Sequence, residues 1–192
     1  MRICVYGGAS TVIGEKYITA TEDLGRKIAQ RGHGMVFGAG ANGLMGAVAR
    51  GVNENGGEII GVVPTFFNVD GALFDKCTQL IRTETMRERK QIMEDNADAF
   101  IMTPGGIGTF EEFFEILTLK QLGRHTKPIA IFSIDGYYDG IAEMMETAIR
   151  ENFIREEIKN LYKVFEDINQ MLDYLETCDR TEYSILDLKD IK

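Results

Sequence analysis

The sequence has few of the residues that build disulfide frameworks or metal sites. Its three cysteines, Cys4, Cys77 and Cys178, are widely spaced, and no CxxC pair or Cys/His cluster occurs in the 192 residues. An odd and scattered set of cysteines predicts neither a disulfide framework nor a zinc site. We therefore expect no bound metal and a protein of the reducing cytoplasm.

Long apolar runs and excess positive charge are also missing. No stretch approaches the roughly 18 apolar residues of a membrane-spanning helix, and the apolar run at residues 3–6 is too short for a signal peptide. The formal net charge of −9 opposes binding to nucleic acid and to anionic membranes. We expect a cytoplasmic protein with neither a nucleic-acid nor a membrane partner.

One segment departs from the acidic character of the chain. Four basic side chains lie within nine residues, and two acids oppose them there. The basic residues are Arg82, Arg87, Arg89 and Lys90, and the acids are Glu84 and Glu88. A local basic site on an acidic protein suits a small anionic ligand better than a polymer.

Short apolar runs alternate with longer amphipathic segments along most of the chain. The predicted strands are 3–6, 35–37, 59–63, 80–82, 99–102, 129–132 and 162–165. The predicted helices are 14–31, 43–55, 84–96, 109–122, 138–151 and 167–177, the last with Asp167 as N-cap. This alternation predicts a Rossmann-like α/β fold, a doubly wound parallel sheet of about seven strands with helices on both faces.

The length suits one domain, and we expect a single nucleotide-binding α/β domain over residues 1–180. Residues 181–192 are mixed and polar, and fit a trailing strand, an extra helix or a frayed end. Ligands of such sheets bind beyond the carboxyl ends of the strands. Three Gly-rich turns, at 7–10, 38–43 and 104–109, are predicted to line that rim.

The turn at residues 38–43 matches the pattern GxGxxG between a strand and a helix. A dinucleotide site also needs an acid at the end of the following strand, to hold a ribose. That strand ends Gly-Val-Val-Pro at 61–64, and its acid, Glu58, is at the wrong end. The pattern disfavours a dehydrogenase, and we expect no NAD or FAD cofactor. Ligand contact and tight helix packing both remain open for these glycines.

The turn at 104–109, Pro-Gly-Gly-Ile-Gly-Thr, carries a more specific signal. Its proline stops the strand, while Gly105, Gly106 and Gly108 permit positive φ and leave successive backbone N–H groups uncovered. Thr109 is a preferred N-cap, so the positive end of the next helix is predicted to face the loop. This combination indicates a phosphate-binding turn, and a plain tight turn is the alternative.

Two acids and one arginine give this turn a chemical context. Glu111 and Glu112 follow in the first turn of the predicted helix. They either complement the helix dipole or place a carboxylate where positive charge develops, as in glycoside hydrolysis. Arg89 lies within the apolar stripe of its own predicted helix, where it must find an acid or an anionic ligand.

A Met-Arg-Glu-Arg-Lys segment at 86–90 and a Pro-Gly-Gly-Ile-Gly-Thr-Phe-Glu-Glu segment at 104–112 together resemble the two-part signature of the Lonely Guy family. Shorter segments at 43–46, 61–64, 121–123 and 135–138 are also similar in place and order. The resemblance implies a phosphoribohydrolase that cleaves the N-glycosidic bond of cytokinin riboside 5′-monophosphates, or of AMP, to free base and ribose 5-phosphate. Many members carry the label lysine decarboxylase, but nothing in this sequence indicates a pyridoxal-phosphate site, and we expect no cofactor.

The resemblance implies that Arg89 and Glu112 are catalytic. It also implies substrate contacts for Lys90, for the loop from Gly106 onward and for Thr118. Together with the turn and the first turn of the helix, the predicted substrate-binding residues are Lys90, Gly105, Gly106, Ile107, Gly108, Thr109, Glu111 and Thr118. Because the family commonly forms dimers, we expect a homodimer.

The sequence departs from the family pattern on the side of the base. Arg87 stands where the family usually has His or Gln. Plant-type members carry a substrate-contacting Glu whose gapless equivalent here is Gly71, beside Asp70, in an aromatic-rich segment at 65–77. The choice between AMP and a cytokinin ribotide therefore stays open. A non-catalytic nucleotide carrier or sensor is the alternative function.

Overall fold

A computed structural model of the chain describes residues 1–67 and 71–182. Within them are seven strands, six α-helices and one short 3₁₀ helix, Glu156–Asn160; strands and helices alternate except that β4 follows β3 directly. The strands are β1 (Arg2–Tyr6), β2 (Gly34–Phe37), β3 (Ile59–Pro64), β4 (Gln79–Thr83), β5 (Ala99–Met102), β6 (Ile129–Phe132) and β7 (Lys163–Phe165). The helices are α1 (Glu15–Gln30), α2 (Gly43–Glu54), α3 (Met86–Asp95), α4 (Ile107–Gln121), α5 (Asp139–Arg150) and α6 (Ile168–Thr177).

All seven strands form one parallel sheet in the order β4-β3-β2-β1-β5-β6-β7. The central strand is β1, where Ile3 pairs with Met35 of β2 on one side and with Ala99 of β5 on the other. The chain winds outward in both directions from this strand, which makes the β1/β5 boundary the topological switch point. Ligands of open α/β sheets bind in the crevice beyond the strand ends at such a point.

The sheet is covered on both faces, as its continuous apolar strands predict. Successive residues of β1 point to opposite faces, so Ile3 and Val5 belong to one core cluster and Cys4 and Tyr6 to the other. Helices α1, α2 and α6 contribute to the first cluster, and α3, α4 and α5 to the second. The prediction of a doubly wound, Rossmann-like α/β sheet with seven strands is therefore confirmed.

The difference that matters most for the site is the start of α4. The helix begins at Ile107, with Gly106 as its N-cap residue, rather than at Thr109. Thr109 is buried in the first helical turn, where its side chain packs against Gly105. The positive φ that the glycines of this turn permit is not used, because Gly106 has a φ of −108° and the turn closes by extended backbone.

Local signals predicted other boundaries well. Asp167 caps α6 by accepting a hydrogen bond from Gln170 N at 2.9 Å, and Gly32 ends α1 with a φ of +74°. Asp70 and residues 183–192, most of the predicted tail, lie outside the described residues. No helix in the described part of the chain has the length and hydropathy of a membrane span.

Candidate active site

The main pocket opens at the carboxyl ends of β1 and β5, at the switch point, with a volume of about 670 Å³. The Gly-rich turn after β1, the turn before α4 and the start of α4 line it, together with Arg89 of α3. A smaller pocket of about 330 Å³ adjoins it, shares Met45, Met86 and Arg89 with it, and is bounded by the turn after β2 and the end of β3. The prediction that three Gly-rich turns line one rim is confirmed.

The start of α4 presents unpaired backbone donors to the main pocket. The first N–H groups of a helix have no partner within it, and no side chain caps α4 at Gly106. A Cβ added at Gly106 or at Gly108 would meet no atom within 4 Å, whereas one added at Gly105 would overlap the side chain of Thr109. Gly105 is therefore required by packing, and the other two glycines keep the pocket face of the helix start open.

A buried ion pair stands beside this helix start. Arg89 Nη1 donates to Glu112 Oε1 at 2.9 Å, and Arg89 Nε donates to the carbonyl oxygen of Val62 at 3.2 Å. The two side chains are only 9% and 13% exposed. The sequence indicated that this arginine needs an acid or an anionic ligand as partner, and in the structure its partner is Glu112.

Local capping fixes where Arg89 points. Thr85 is the N-cap residue of α3, and its side chain accepts from Glu88 N at 3.1 Å. Glu88 in turn accepts from Glu84 N at 2.8 Å, which resembles a capping box. Because the first turn is fixed in this way, residue 89 is directed inward toward β3 and α4.

Gly38 provides the space that the arginine occupies. A Cβ on Gly38 would overlap Nη2 of Arg89. The first glycine of the GxGxxG pattern thus serves close packing against a charged side chain. For Gly38, in the turn after β2, the structure shows close packing against α3, while Gly38 and Gly40 also line the smaller pocket, so ligand contact stays open for this turn.

Burial and pairing compete at Glu112. Desolvation raises the pKa of the Glu112 carboxyl, and the adjacent Arg89 guanidinium only partly offsets that increase, so the net pKa lies above its usual value. Arg89 is the only cation among the described residues that line either pocket. An anionic ligand there would meet one paired arginine and a set of backbone N–H groups.

The four cations of the basic segment do not form one site. Arg82 and Arg87 are exposed and outside both pockets. Lys90 Nζ pairs with Glu111 and, at 2.8 Å, with Glu115, which ties α3 to α4. Desolvation lowers the pKa of Lys90, but hydrogen bonds to these two acids outweigh it and raise the pKa.

The predicted substrate-binding residues are only partly brought together. Gly105, Gly106, Gly108, Thr109 and Glu111 line the main pocket together with the catalytic candidates Arg89 and Glu112. Lys90, Ile107 and Thr118 do not line it. Thr118 is exposed about 16 Å along α4 from the helix start, on the outward face, and Ile107 is 83% exposed. Contacts from these three residues stay predictions.

Sequence reasoning missed one wall of the main pocket. Tyr17 of α1 and Tyr137, in the turn after β6, line it and pack edge-on with ring centroids 5.8 Å apart. The only signal was the family-like segment at 135–138, which carried no assigned role.

Among the described residues, no group of three or more His, Cys, Asp or Glu side chains could hold a metal ion.

Fold and site together define a Rossmann-like protein that combines an open helix start with a buried Arg–Glu pair in one crevice. A protein-family model described as "Possible lysine decarboxylase" matches residues 45–175. The cytokinin riboside 5′-monophosphate phosphoribohydrolase LOG2 of Arabidopsis thaliana is 34% identical over 175 residues, 91% of this chain and 82% of that protein. Its counterpart LOG from Oryza sativa subsp. japonica is 38% identical over 160 residues, 83% of this chain and 66% of that protein. The chain belongs to the Lonely Guy family.

Solved structures with the same fold include two molybdenum-cofactor proteins. The molybdenum cofactor binding protein of Rippkaea orientalis has a TM-score of 0.69 at 19% identity, covering 91% of this chain and 94% of that one. The molybdenum cofactor carrier protein of Chlamydomonas reinhardtii has a TM-score of 0.69 at 22% identity, covering 91% and 95%. At these identities the similarity supports the fold alone.

Proposed function

We propose that this protein is a phosphoribohydrolase that cleaves the N-glycosidic bond of a purine riboside 5′-monophosphate. The products are the free base and ribose 5-phosphate. The observation that carries the proposal is that an open helix start and the Arg89–Glu112 pair line one pocket. The curated relatives named above are phosphoribohydrolases by name, which supports the same reaction.

The helix start binds the 5′-phosphate in this proposal. The backbone N–H groups from Gly106 to Thr109 and the positive end of the α4 dipole favour an anion without requiring a lysine. Lys90 cannot serve as the phosphate's counter-charge, because it forms ion pairs with Glu111 and Glu115. The phosphate thereby anchors the ribose next to Glu112.

Glu112 acts on the reacting carbon. When the bond between C1′ and the base nitrogen breaks, its electron pair leaves with the base and positive charge develops on the ribosyl group. The Glu112 carboxylate stabilises that charge or orients the attacking water, by analogy with glycoside hydrolysis. The water oxygen bonds to C1′ and its proton neutralises the base. Arg89 positions the carboxylate and the substrate.

The smaller pocket is proposed to take the base. It adjoins the ion pair through Arg89 and is walled by apolar side chains from α2, α3 and the end of β3, among them Met45, Met86 and Pro64. Phe67, which is 47% exposed, lies at its edge. A pocket of this character suits a flat purine and leaves room for discrimination between AMP and an N6-substituted AMP.

The decisive experiment incubates the protein with AMP and with isopentenylated AMP and measures free base by chromatography. We expect base from at least one nucleotide, and loss of turnover in Glu112→Gln. Release of base from neither substrate, or full activity of the variant, would contradict the mechanism. Calorimetry with the same nucleotides completes the assay, because binding without turnover would indicate a carrier or sensor.

We further propose that the protein forms a homodimer and that residues 1–180 are one nucleotide-binding domain. An exposed apolar side chain at the start of α4 supports the dimer, since Ile107 is 83% exposed and lines neither pocket. One sheet and its two covering layers extend from β1 to α6, which supports a single domain. Size-exclusion chromatography with light scattering measures the mass directly.

A further inference from the structure

Three consecutive carbonyl groups immediately before α4 accept hydrogen bonds from outside that segment. The Tyr138 hydroxyl donates to the carbonyl oxygen of Thr103 at 2.6 Å, and the Tyr137 hydroxyl donates to that of Gly105 at 2.7 Å. Between them, Gly8 N donates to the carbonyl oxygen of Pro104 at 3.0 Å. Two adjacent tyrosines and the turn after β1 thus hold every carbonyl of residues 103–105.

The turn that carries the tyrosines is itself well anchored. Asp135 and Gly136 have φ values of +50° and +68°, which reverses the chain sharply after β6. Lys16 of α1 forms an ion pair with Asp135 at 2.7 Å. The same helix also supplies Tyr17, whose ring packs edge-on against Tyr137.

Tyr138 is fixed from the other side of the sheet. It is 3% exposed, and its ring packs edge-on against Phe110 of α4 with centroids 6.3 Å apart. The Tyr138 ring also lies edge-on to Tyr137 at 4.9 Å. The two hydroxyls are therefore held at fixed positions relative to the start of α4.

The orientation of a carbonyl also sets the orientation of the next N–H. A trans peptide unit is planar, with its C=O and the following N–H pointing in opposite directions. A donor that holds the Gly105 carbonyl therefore fixes the direction of the Gly106 N–H, which begins the helix start. If this peptide unit rotated, a carbonyl oxygen would approach the anion site and repel a phosphate.

We propose that Tyr137 and Tyr138 are positioning residues for the phosphate-binding turn. Tyr137 holds the Gly105 carbonyl and so aims the Gly106 N–H, whereas Tyr138 anchors the Thr103–Pro104 peptide unit, which has no N–H, at the point where the turn begins. The inference rests on the proposed function for the identity of the ligand, a sugar phosphate. The two hydroxyls act through the backbone of the turn and not on the glycosidic bond. Their loss weakens binding of the phosphate and leaves the chemical step unchanged.

The test uses Tyr137→Phe, Tyr138→Phe and the double variant, which remove only the hydroxyls. Tyr162→Phe is the matched control, because Tyr162 packs edge-on against Phe113 of α4, away from the turn. Calorimetry measures the Kd of ribose 5-phosphate for each protein. We expect each single variant to weaken binding about three- to tenfold, the double variant to weaken it further, and the control to match the wild type.

Two results of the binding measurements would overturn the inference. One is that both single variants bind ribose 5-phosphate as tightly as the wild type does. This includes the case in which the wild type does not bind it at all. The other is an equal loss in Tyr162→Phe, which would reveal general damage to α4.

Hydrolysis assays separate this inference from the proposed function. With AMP as substrate, we expect the variants to raise KM and to keep kcat near the wild-type value. Suppose that the wild type binds ribose 5-phosphate and the variants bind it more weakly, but neither hydrolyses any nucleotide. The proposed reaction then fails, and the positioning role stands. A fall in kcat with unchanged KM would contradict the positioning role.

Discussion

Arg89 Nη1 of α3 and Glu112 Oε1 of α4 are 2.9 Å apart. Both side chains are largely buried, so little water reaches this contact. Such a pair gains little net stability from its own attraction, because both ions lose hydration. Removing one partner, however, leaves the other as an uncompensated buried charge. The pair lies beside the open start of α4 and lines the same pocket.

The first prediction concerns the carboxylate. Glu112→Gln keeps the shape of the side chain and removes its charge, so we expect kcat to fall by a factor of about 10² to 10⁴. Binding of ribose 5-phosphate, which we assign to the start of α4, is expected to persist. Base release and calorimetry measure the two properties, and loss of both together would contradict this separation.

The second prediction concerns the glycine beneath the arginine. Gly38→Ala places a methyl group where Nη2 of Arg89 lies and displaces the guanidinium from Glu112. A misplacement of about 1 Å can reduce turnover by about 10²-fold, and we expect a loss of that order. Gly140→Ala in α5 is the control, because a Cβ there meets nothing within 4 Å. Turnover of Gly38→Ala equal to that of the control would show that the contact has no effect on catalysis.

The third prediction separates the glycines of the phosphate turn. Gly108→Ala meets no protein atom and replaces a glycine within a helix, so we expect the free energy of unfolding to stay equal or to rise by about 0.5 kcal/mol. The same methyl group narrows the open face of the helix start, and we expect ribose 5-phosphate to bind about tenfold more weakly.

Gly105→Ala provides the contrast. Its methyl group overlaps the buried side chain of Thr109, and we expect a loss of about 1–3 kcal/mol in the free energy of unfolding. Denaturant unfolding and calorimetry on both variants test the pair. If Gly108→Ala bound the phosphate as tightly as the wild type, the helix start would not be the anion site.

The fourth prediction follows from the raised pKa of Glu112. In the proposed mechanism Glu112 acts as a carboxylate, so the acidic limb of kcat/KM is expected above pH 4.5, the ordinary value for a glutamic acid. The charge of Glu111 contributes to the increase, so Glu111→Gln should move the limb to lower pH. A pH–rate profile of both proteins measures the shift, and a limb that moves upward in the variant would contradict the assignment.

The same shift has a consequence for stability. A raised pKa means that the folded protein binds this proton more tightly than the unfolded chain does. The contribution of Glu112 is therefore fully present below pH 4.5 and is lost as the pH rises through its folded-state pKa.

Glu176 behaves in the opposite way. Its hydrogen bond from His33 lowers its pKa, so its contribution is present above pH 4.5 and is lost as the pH falls through the lowered value.

The sequence by itself determined the strands, the helices and the position of the Gly-rich turn before α4. These features depend on neighbours within a few residues: the apolar runs, the cap at Asp167, the stop at Gly32 and the Pro-Gly-Gly sequence before α4. Sequence patterns report such short-range chemistry directly. The two-part signature also pointed to Arg89 and Glu112 as catalytic candidates, and the chain belongs to the family that carries it.

Only the tertiary structure decided which groups meet across elements. It assigned Lys90 to the acids of α4, moved the helix start to Ile107, and placed Gly38 beneath Arg89. It also brought the hydroxyls of Tyr137 and Tyr138 to carbonyls more than 30 residues earlier in the chain. These contacts form because the parallel strands place their carboxyl ends along one rim of the sheet. The distances between residues that are far apart in the sequence cannot be read from local sequence patterns.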